Sequence, residues 1–274
     1  MVLSAVQKPV RRLRKALKCL PPDPSIEDVH NLRTRMRRVE AITTVLRMGD
    51  EKPAQRLLKT IKTIHKALGA VRDMDVMAGN VLTLERSGHD ESALRLLQHL
   101  HGLRIERVRH LVDAVGKHRK DARRSLKRFS GQIEKWFKES KPGAANGHVA
   151  ARLLGELRHW PALDAGNLHA FRIKVKELRY VLQLARSADS GLVAALDQAR
   201  AQIGDWHDWQ QLASTAEKTL APETDSAALK QIAEIEKRKF SHALRAAEEI
   251  KAFPPGLPKP VRAATGFAVA SRVA

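Results

Sequence analysis

Residues 29–40 read V-H-N-L-R-T-R-M-R-R-V-E, and residues 168–180 read L-H-A-F-R-I-K-V-K-E-L-R-Y. Each stretch has a histidine, a cation three positions later and another cation seven positions later: His30, Arg33 and Arg37, then His169, Arg172 and Lys176. At about 100° per residue, such positions share one face of a helix. We therefore predict two helices that each carry a histidine and two cations along one face, a pattern suited to a polyanion.

The composition around these stretches favours an all-α fold. The chain has 274 residues, of which 43% are hydrophobic and 4% aromatic, so it is large enough to bury a core. Good helix formers dominate, and no segment alternates apolar and polar residues convincingly as a half-buried strand would. On the face opposite His30, apolar positions recur at helical spacing: Leu32, Met36, Val39, Thr43 and Leu46. The first histidine helix is therefore predicted to pack on a core.

Prolines, glycines and capping residues predict where the helices begin and end. Ser25 followed by Asp28 resembles a capping box, and Pro53 suits the first turn of the next helix. Gly69 is predicted to interrupt that helix. Further separate helical segments are predicted at about 91–115, 117–139, 192–203 and 209–220, with a linker at 141–147.

A second feature repeats in the same order as the histidine stretches. L-G-A-V-R-D-M-D-V begins at Leu68, and the related I-G-D-W-H-D-W-Q-Q begins at Ile203. The offset is 135 residues here and 139 at the histidines, which indicates an internal duplication. We predict two similar helical-bundle halves packed about a pseudo-twofold axis. The predicted limits are a single domain at 1–252, with halves at about 5–140 and 148–252, and an irregular Pro-containing tail at 253–274.

The charge balance points to an anionic partner. The chain has 50 Lys and Arg against 30 Asp and Glu, a net charge of +20, which attracts anions and opposes compact folding by self-repulsion. No apolar run is long enough to span a membrane. Cys19 is the one cysteine, so no internal disulfide can form, and we expect a cytoplasmic protein.

Residues that could carry catalysis or bind a metal do not form a recognisable pattern. His99 and His101 have no carboxylate at ligand spacing. Three aspartates are predicted to cap helices or orient an arginine: Asp73, Asp75 and Asp208. Phosphate-binding Walker loops, nucleophile elbows and Cys/His dyads are missing from the sequence. We expect a non-catalytic protein that needs neither a metal nor a cofactor.

The repeated stretches resemble the signature elements of the CHAD family, named for its conserved histidine α-helical domain. H-x-x-R-x-x-x-R-R from His30 and H-x-x-R-x-x-x-K-x-L-R-Y from His169 match the two signature helices of that family. L-G-x-x-R-D and I-G-x-x-x-D match its second recurring element. The resemblance covers about residues 5–250.

The resemblance implies two four-helix-bundle-like halves around a central basic cavity that binds inorganic polyphosphate. Stand-alone members of the family are associated with polyphosphate granules. The predicted ligand-binding residues are His30, Arg33, Arg37, Arg38, Arg56, Lys59, Lys62, Lys66, His169, Arg172, Lys176 and Arg179. Glu40 and Glu177 depart from the family pattern, because cations commonly occupy these positions. His207 stands where the first half has Arg72.

Three functions are compatible with the sequence. Non-catalytic binding of polyphosphate is the leading prediction. Many cations spaced along the polymer would release its counterions, and an arginine guanidinium can donate two hydrogen bonds to one phosphate. Sequence-independent nucleic-acid binding is the alternative, with Trp206 and Trp209 as the candidate stacking platform, although core packing is the expected role of both. A polyphosphate-processing enzyme is third, because it needs carboxylates that hold Mg²⁺ inside the basic cavity.

Overall fold

The computed structural model describes residues 3–46, 48, 51–84, 90–139, 145–185 and 189–254. These residues form eight α-helices: α1 Leu3–Ala16, α2 Ile26–Val45, α3 Lys52–Val81, α4 Asp90–Glu139, α5 Ala145–Arg158, α6 Leu168–Ala185, α7 Ser190–Thr219 and α8 Pro222–Lys251. The prediction of an all-α fold is confirmed, since the described residues contain no strand.

Helices α1 to α4 pack around one hydrophobic core. The predicted apolar stripe of α2 lies in this core, with every member at most 3% exposed: Leu32, Met36, Val39, Thr43 and Leu46. The predicted capping box is also present, because the backbone N–H of Asp28 donates to Ser25 Oγ and that of Ser25 donates to Asp28 Oδ2, both at 3.1 Å. Local sequence therefore defines both the start and the buried face of α2.

Helices α5 to α8 pack around a second core, and a third apolar cluster joins the two groups of helices. Met77 of α3 and Leu96 of α4 meet Trp209 of α7 and Ile232 of α8 in this third cluster. The expected core positions of Trp206 and Trp209 are confirmed, with 1% and 4% of each residue exposed. The internal duplication itself stays a prediction, as do the limits of the domain.

Three predicted breaks between helical segments are wrong. Helix α3 runs through Gly69, α7 runs through Gly204, and α4 is continuous from Asp90 to Glu139. A glycine inside a helix costs only about 1 kcal/mol relative to alanine, which the burial of these helices outweighs. The predicted linker at 141–147 overlaps the start of α5 at Ala145. Most of the predicted tail, from residue 255 onward, lies outside the described residues.

Candidate functional site

A cavity of about 580 Å³ lies between α2 and α3 of the first group and α6 and α7 of the second. The two histidine helices, α2 and α6, contact each other beside it. The basic side chains in its wall come from all four helices: Arg33, Arg37, His65, Arg72, His169, Arg172, Lys176 and His207. Burial of the apolar stripe on the far side of α2 turns Arg33 and Arg37 toward this cavity.

Two of the arginines lie across glycines of the neighbouring helices. A Cβ atom added to Gly69 of α3 would stand 2.8 Å from Nη1 of Arg33, and one added to Gly204 of α7 would collide with Nη2 of Arg172. The Arg172 Nε–H also donates to the carbonyl of Arg200 at 3.1 Å. The glycines of the repeated sequence element therefore provide room for a guanidinium group.

A bidentate ion pair connects α3 with α7 in the cavity wall. Arg72 donates from Nη1 and Nη2 to the two carboxylate oxygens of Asp208, at 2.7 and 2.8 Å. Asp73 also accepts from Arg72, at 3.3 Å. Burial alone would lower the pKa of Arg72, but its bonds and attraction to Asp208 outweigh that effect and raise the pKa. The expectation that Asp73 and Asp208 orient an arginine agrees with these contacts.

The remaining cations of the wall repel one another. Burial is the main cause that lowers the pKa of Arg33 to about 10 and that of Arg172 to about 10, and the positive charges of neighbouring arginines also lower both values. Burial and the charges of Arg172, Arg37 and Arg33 lower the pKa of Lys176 to about 6. With this pKa, the Lys176 amine is mostly uncharged at neutral pH. An anionic ligand would stabilise its charged form.

The histidines of the wall contact other titratable groups. The rings of His169 and His207 lie 4.6 Å apart between their centroids. Burial, then the proximity of His207, then the charges of Lys176 and Arg172 lower the pKa of His169. His65 Nδ1 lies 2.8 Å from Glu40 Oε1. The lowered pKa of His169 favours the neutral form of its imidazole.

The two acidic departures from the family pattern lie in the wall, and each contacts a basic side chain. Glu40 contacts His65, as described above, and Glu177 lies 3.4 Å from the amine of Lys174. Lys174 also contacts Glu156 at 2.9 Å. Lys174 therefore offsets part of the negative charge that Glu177 brings to the basic wall.

The structure brings together five of the twelve predicted site residues, namely Arg33, Arg37, His169, Arg172 and Lys176. The others lie outside the wall: His30, Arg38, Arg56, Lys59, Lys62, Lys66 and Arg179. The first six of these are exposed. Arg56 and Lys59 leave α3 about 120–180° away from His65 and Arg72, because a helix turns about 100° per residue. Arg179 instead pairs with Asp197 at 3.0 Å.

Three basic residues of the wall were not among the predicted ligands: His65, Arg72 and His207. Arg72 and His207 occupy equivalent positions in the repeated glycine element, so the repeat itself was a usable signal. His65 carried no such signal. Its position follows from the packing of α3 against α2.

The part of the chain that the structure describes has neither a metal-binding cluster nor a membrane-spanning helix. No group of three or more His, Cys, Asp or Glu side chains there could hold a metal ion. None of the described helices is both long and apolar enough to cross a membrane.

Comparisons with known proteins agree on the family and the fold. The profile of the CHAD domain family matches residues 4–217, more than three quarters of the chain. The crystal structure of the CHAD domain from the plant Ricinus communis resembles this structure with a TM-score of 0.68 and 18% sequence identity, over 94% of this chain and 92% of that chain. At that identity the likeness shows the fold alone. No curated protein matches the chain.

Proposed function

The chain belongs to the CHAD family, and we propose that it binds inorganic polyphosphate, without processing it, in the cavity between α2, α3, α6 and α7. CHAD domains are generally associated with polyphosphate binding. The observation that carries the proposal is the convergence of Arg33, Arg37, Arg172 and Lys176 on one cavity. These side chains come from both groups of helices, and they repel one another until an anion is present.

The chemistry of the wall suits a flexible chain of phosphates. Arginine donates two parallel hydrogen bonds to one phosphate, and each phosphate neutralised releases bound counterions. The guanidinium groups of Arg33, Arg37 and Arg172 pair with no carboxylate among the described residues, so all three can donate to phosphates. We retain the exposed cations of α2 and α3 as secondary contacts for polymers that extend beyond the cavity: His30, Arg38, Arg56, Lys59, Lys62 and Lys66.

The competing functions have less support. Trp206 and Trp209 are buried, so they cannot serve as a stacking platform for nucleic-acid bases. The acidic side chains of the wall each contact a basic one, which leaves them poorly placed to hold Mg²⁺ for catalysis: Glu40, Asp73, Glu177 and Asp208. Phosphate release from polyphosphate by the pure protein with Mg²⁺ would restore the enzymatic alternative.

A polymer-length series with a nucleic-acid competitor tests the proposed function. Affinity should rise from tripolyphosphate to long polymers, because longer chains engage the cavity and the outer cations together. It should also fall steeply with salt. Long polyphosphate should displace single-stranded RNA at equal phosphate concentration. Equal affinity for tripolyphosphate and long polymers, or failure to displace RNA, would contradict the proposal.

A cytoplasmic location and association with polyphosphate granules are part of the same proposal. A fluorescent fusion should colocalise with a polyphosphate stain in cells that accumulate the polymer. The Arg33→Glu/Arg172→Glu variant should remain diffuse in the same cells, because its cavity charge is reversed. Colocalisation of that variant would separate granule targeting from the cavity.

Binding should strengthen as the pH falls, and Lys176 should be the main cause. Its pKa is about 6 in the empty cavity and should rise when phosphates surround it, so binding takes up a proton. As the pH falls, the affinity should begin to rise near the higher Lys176 pKa of the complex and should level off below about 6. For one proton the affinity changes at most about tenfold per pH unit. Affinity for a long polymer, whose internal phosphates stay ionised, should be measured across this range.

Two variants separate Lys176 from the histidines in this pH experiment. Lys176→Arg keeps its charge throughout, so its affinity should vary less with pH than that of the wild type. The His30→Ala/His169→Ala double variant should lose only the part of the slope that His169 contributes, because His30 lies outside the wall. If the affinity of Lys176→Arg varied with pH as strongly as that of the wild type, Lys176 would not be the cause of the pH dependence.

Replacing Gly204 with alanine should separate stability from binding. The new Cβ would collide with the Arg172 guanidinium, which must move away, whereas the helix itself should gain up to about 1 kcal/mol. We expect an equal or higher melting temperature with several-fold weaker polyphosphate binding. Gly79→Ala is the matched control, because nothing lies within 4 Å of a Cβ at that helical position. Unchanged affinity in Gly204→Ala would show that the position of Arg172 is unimportant.

A further inference from the structure

A second basic depression lies between α1 and α4, on helices that contribute nothing to the wall of the cavity. Its volume is about 300 Å³, and its lining consists of Arg11, Arg14, Lys15, Lys18 and Arg123. All five lining residues are cations. The cavity wall, in contrast, mixes cations with four acids.

The packing of α1 on α4 concentrates these charges at one end of the helix pair. Val10 and Leu13 of α1 and Leu126 of α4 are buried in the same core, so the cations beside them flank the contact. At the opposite end of the pair, Gln7 Nε2 donates to Glu134 Oε1. The two helices are therefore antiparallel, with a polar and acidic contact at one end and the cationic depression at the other.

The cations of the depression are not neutralised by the protein. None of the five forms an ion pair with a carboxylate among the described residues. Arg123 is half-buried, and its Nε–H group is shielded from solvent without a hydrogen-bond partner. Leaving a buried donor without a partner is unfavourable. By comparison, the half-buried Arg72 and Arg104 both donate to carboxylates.

Helix stabilisation explains only part of this arrangement. Arg14 and Lys15 lie in the last turn of α1, where cations interact favourably with the helix dipole. Arg11 lies before that turn, and Arg123 belongs to the middle of α4. Five cations that face one hollow therefore favour an anion with several charges close together.

We propose that this depression is a second binding site for clustered phosphates, so that one protein molecule holds two separate segments of polyphosphate. The proposal rests on the proposed function for the identity of the polymer. The size of the hollow fits a short run of phosphates, and the lining has no aromatic ring to stack on a base. Two sites on one molecule cross-link long polymers, whereas a single cavity only coats them.

Tripolyphosphate titration followed by amide chemical shifts tests for two sites. In the wild type, two sets of amides should shift, one around His169 and His207 and one around Arg14 and Arg123. Arg14→Glu/Arg123→Glu should lower the tripolyphosphate affinity reported by the second set of amides by about tenfold or more. The affinity reported by the first set should stay unchanged. Arg37→Glu/Arg172→Glu should have the converse effect. The matched control is Arg109→Glu/Lys230→Glu, which changes the net charge equally at two exposed positions outside both linings.

Light scattering with long polyphosphate supplies a second readout. The wild type and the control should form cross-linked assemblies, and Arg14→Glu/Arg123→Glu should not. If that variant is unstable, Lys15→Ala/Lys18→Ala removes two exposed cations from the same hollow and should give the same loss.

Three results would overturn this inference. Chemical shifts confined to the amides of the cavity would support the proposed function and show that the depression does not bind the ligand. An equal loss of affinity and of cross-linking in the control variant would show that net charge alone causes the effect. Displacement of polyphosphate from α1 and α4 by an oligonucleotide or by anionic vesicles, but not from the cavity, would assign the depression to another ligand. If no amide of the cavity shifted in the wild type, the proposed function itself would fail.

Discussion

The Arg33→Glu/Arg172→Glu variant is expected to bind long polyphosphate at least about a hundredfold more weakly than the wild type. Each charged hydrogen bond to a phosphate contributes about 1.5–3 kcal/mol, so two lost bonds alone account for roughly this factor. The new carboxylates also repel the polymer and pair with Arg37 or Lys176. Affinity should be measured at a fixed, low salt concentration, because screening reduces the difference.

The same variant should fold as well as the wild type or better. Burial and neighbouring cations lower the pKa of both arginines, so the positive charges oppose folding of the empty protein. This cost is present wherever the arginines are charged, including neutral pH. Thermal unfolding without ligand should therefore show an equal or higher melting temperature. A variant that unfolds would mean that the two guanidinium groups hold the helices together.

Net charge has to be separated from position in this experiment. Arg109→Glu/Lys230→Glu makes the same change in charge at exposed positions outside the cavity. Its affinity should fall only a few-fold, through the weaker long-range field of the protein. A hundredfold loss in this control would show that polyphosphate binds to the whole basic surface and that the cavity has no special role.

Replacing Asp208 with alanine is expected to destabilise the protein by about 2–4 kcal/mol. Removing one partner of a buried ion pair leaves the other charge uncompensated, which is strongly unfavourable. Arg72 would keep only its 3.3 Å contact with Asp73, and it would face a wall that already contains Arg33, Arg37 and Arg172. Because the lost bonds connect α3 with α7, the loss should affect the whole fold. Urea unfolding, followed by circular dichroism, measures it.

The neighbouring Asp205 supplies the control for this prediction. It pairs with Lys239 at 2.7 Å, but its side chain is 38% exposed compared with 11% for Asp208. Asp205→Ala should therefore cost at most about 1 kcal/mol. Polyphosphate should raise the melting temperature of Asp208→Ala more than that of the wild type, because the freed Arg72 becomes available to phosphate. Equal losses in the free energy of unfolding of the two variants would show that the Arg72–Asp208 pair stabilises the fold no more than the exposed Asp205–Lys239 pair.

Helix α2 shows how far local sequence predicted the fold. Its capping box and its apolar stripe are contained in residues within a few turns of one another, so both were readable before any packing was known. The same periodicity placed Arg33 and Arg37 together on the opposite face. Its exposed residue His30, in contrast, shares that face in sequence but lies outside the cavity wall.

The glycines show where local reasoning failed. A glycine in a helical pattern is a weak helix former, so Gly69 was expected to end a helix. The structure gives the other explanation, which is that the guanidinium of Arg33 occupies the space of a side chain there. That contact joins α2 to α3, and no pattern within α3 contains it.

The sequence by itself determined the helical class, the buried face of α2 and the cation spacing on both histidine helices, because these depend on neighbours one or two turns away. Only the tertiary structure decided which cations share a cavity, since that depends on how α2, α3, α6 and α7 meet. It also decided their charge. Lys176 has a pKa of about 6 because its amine is buried and is repelled by four arginines from three helices. Electrostatic energy depends on distance in space, and distance along the chain does not specify it.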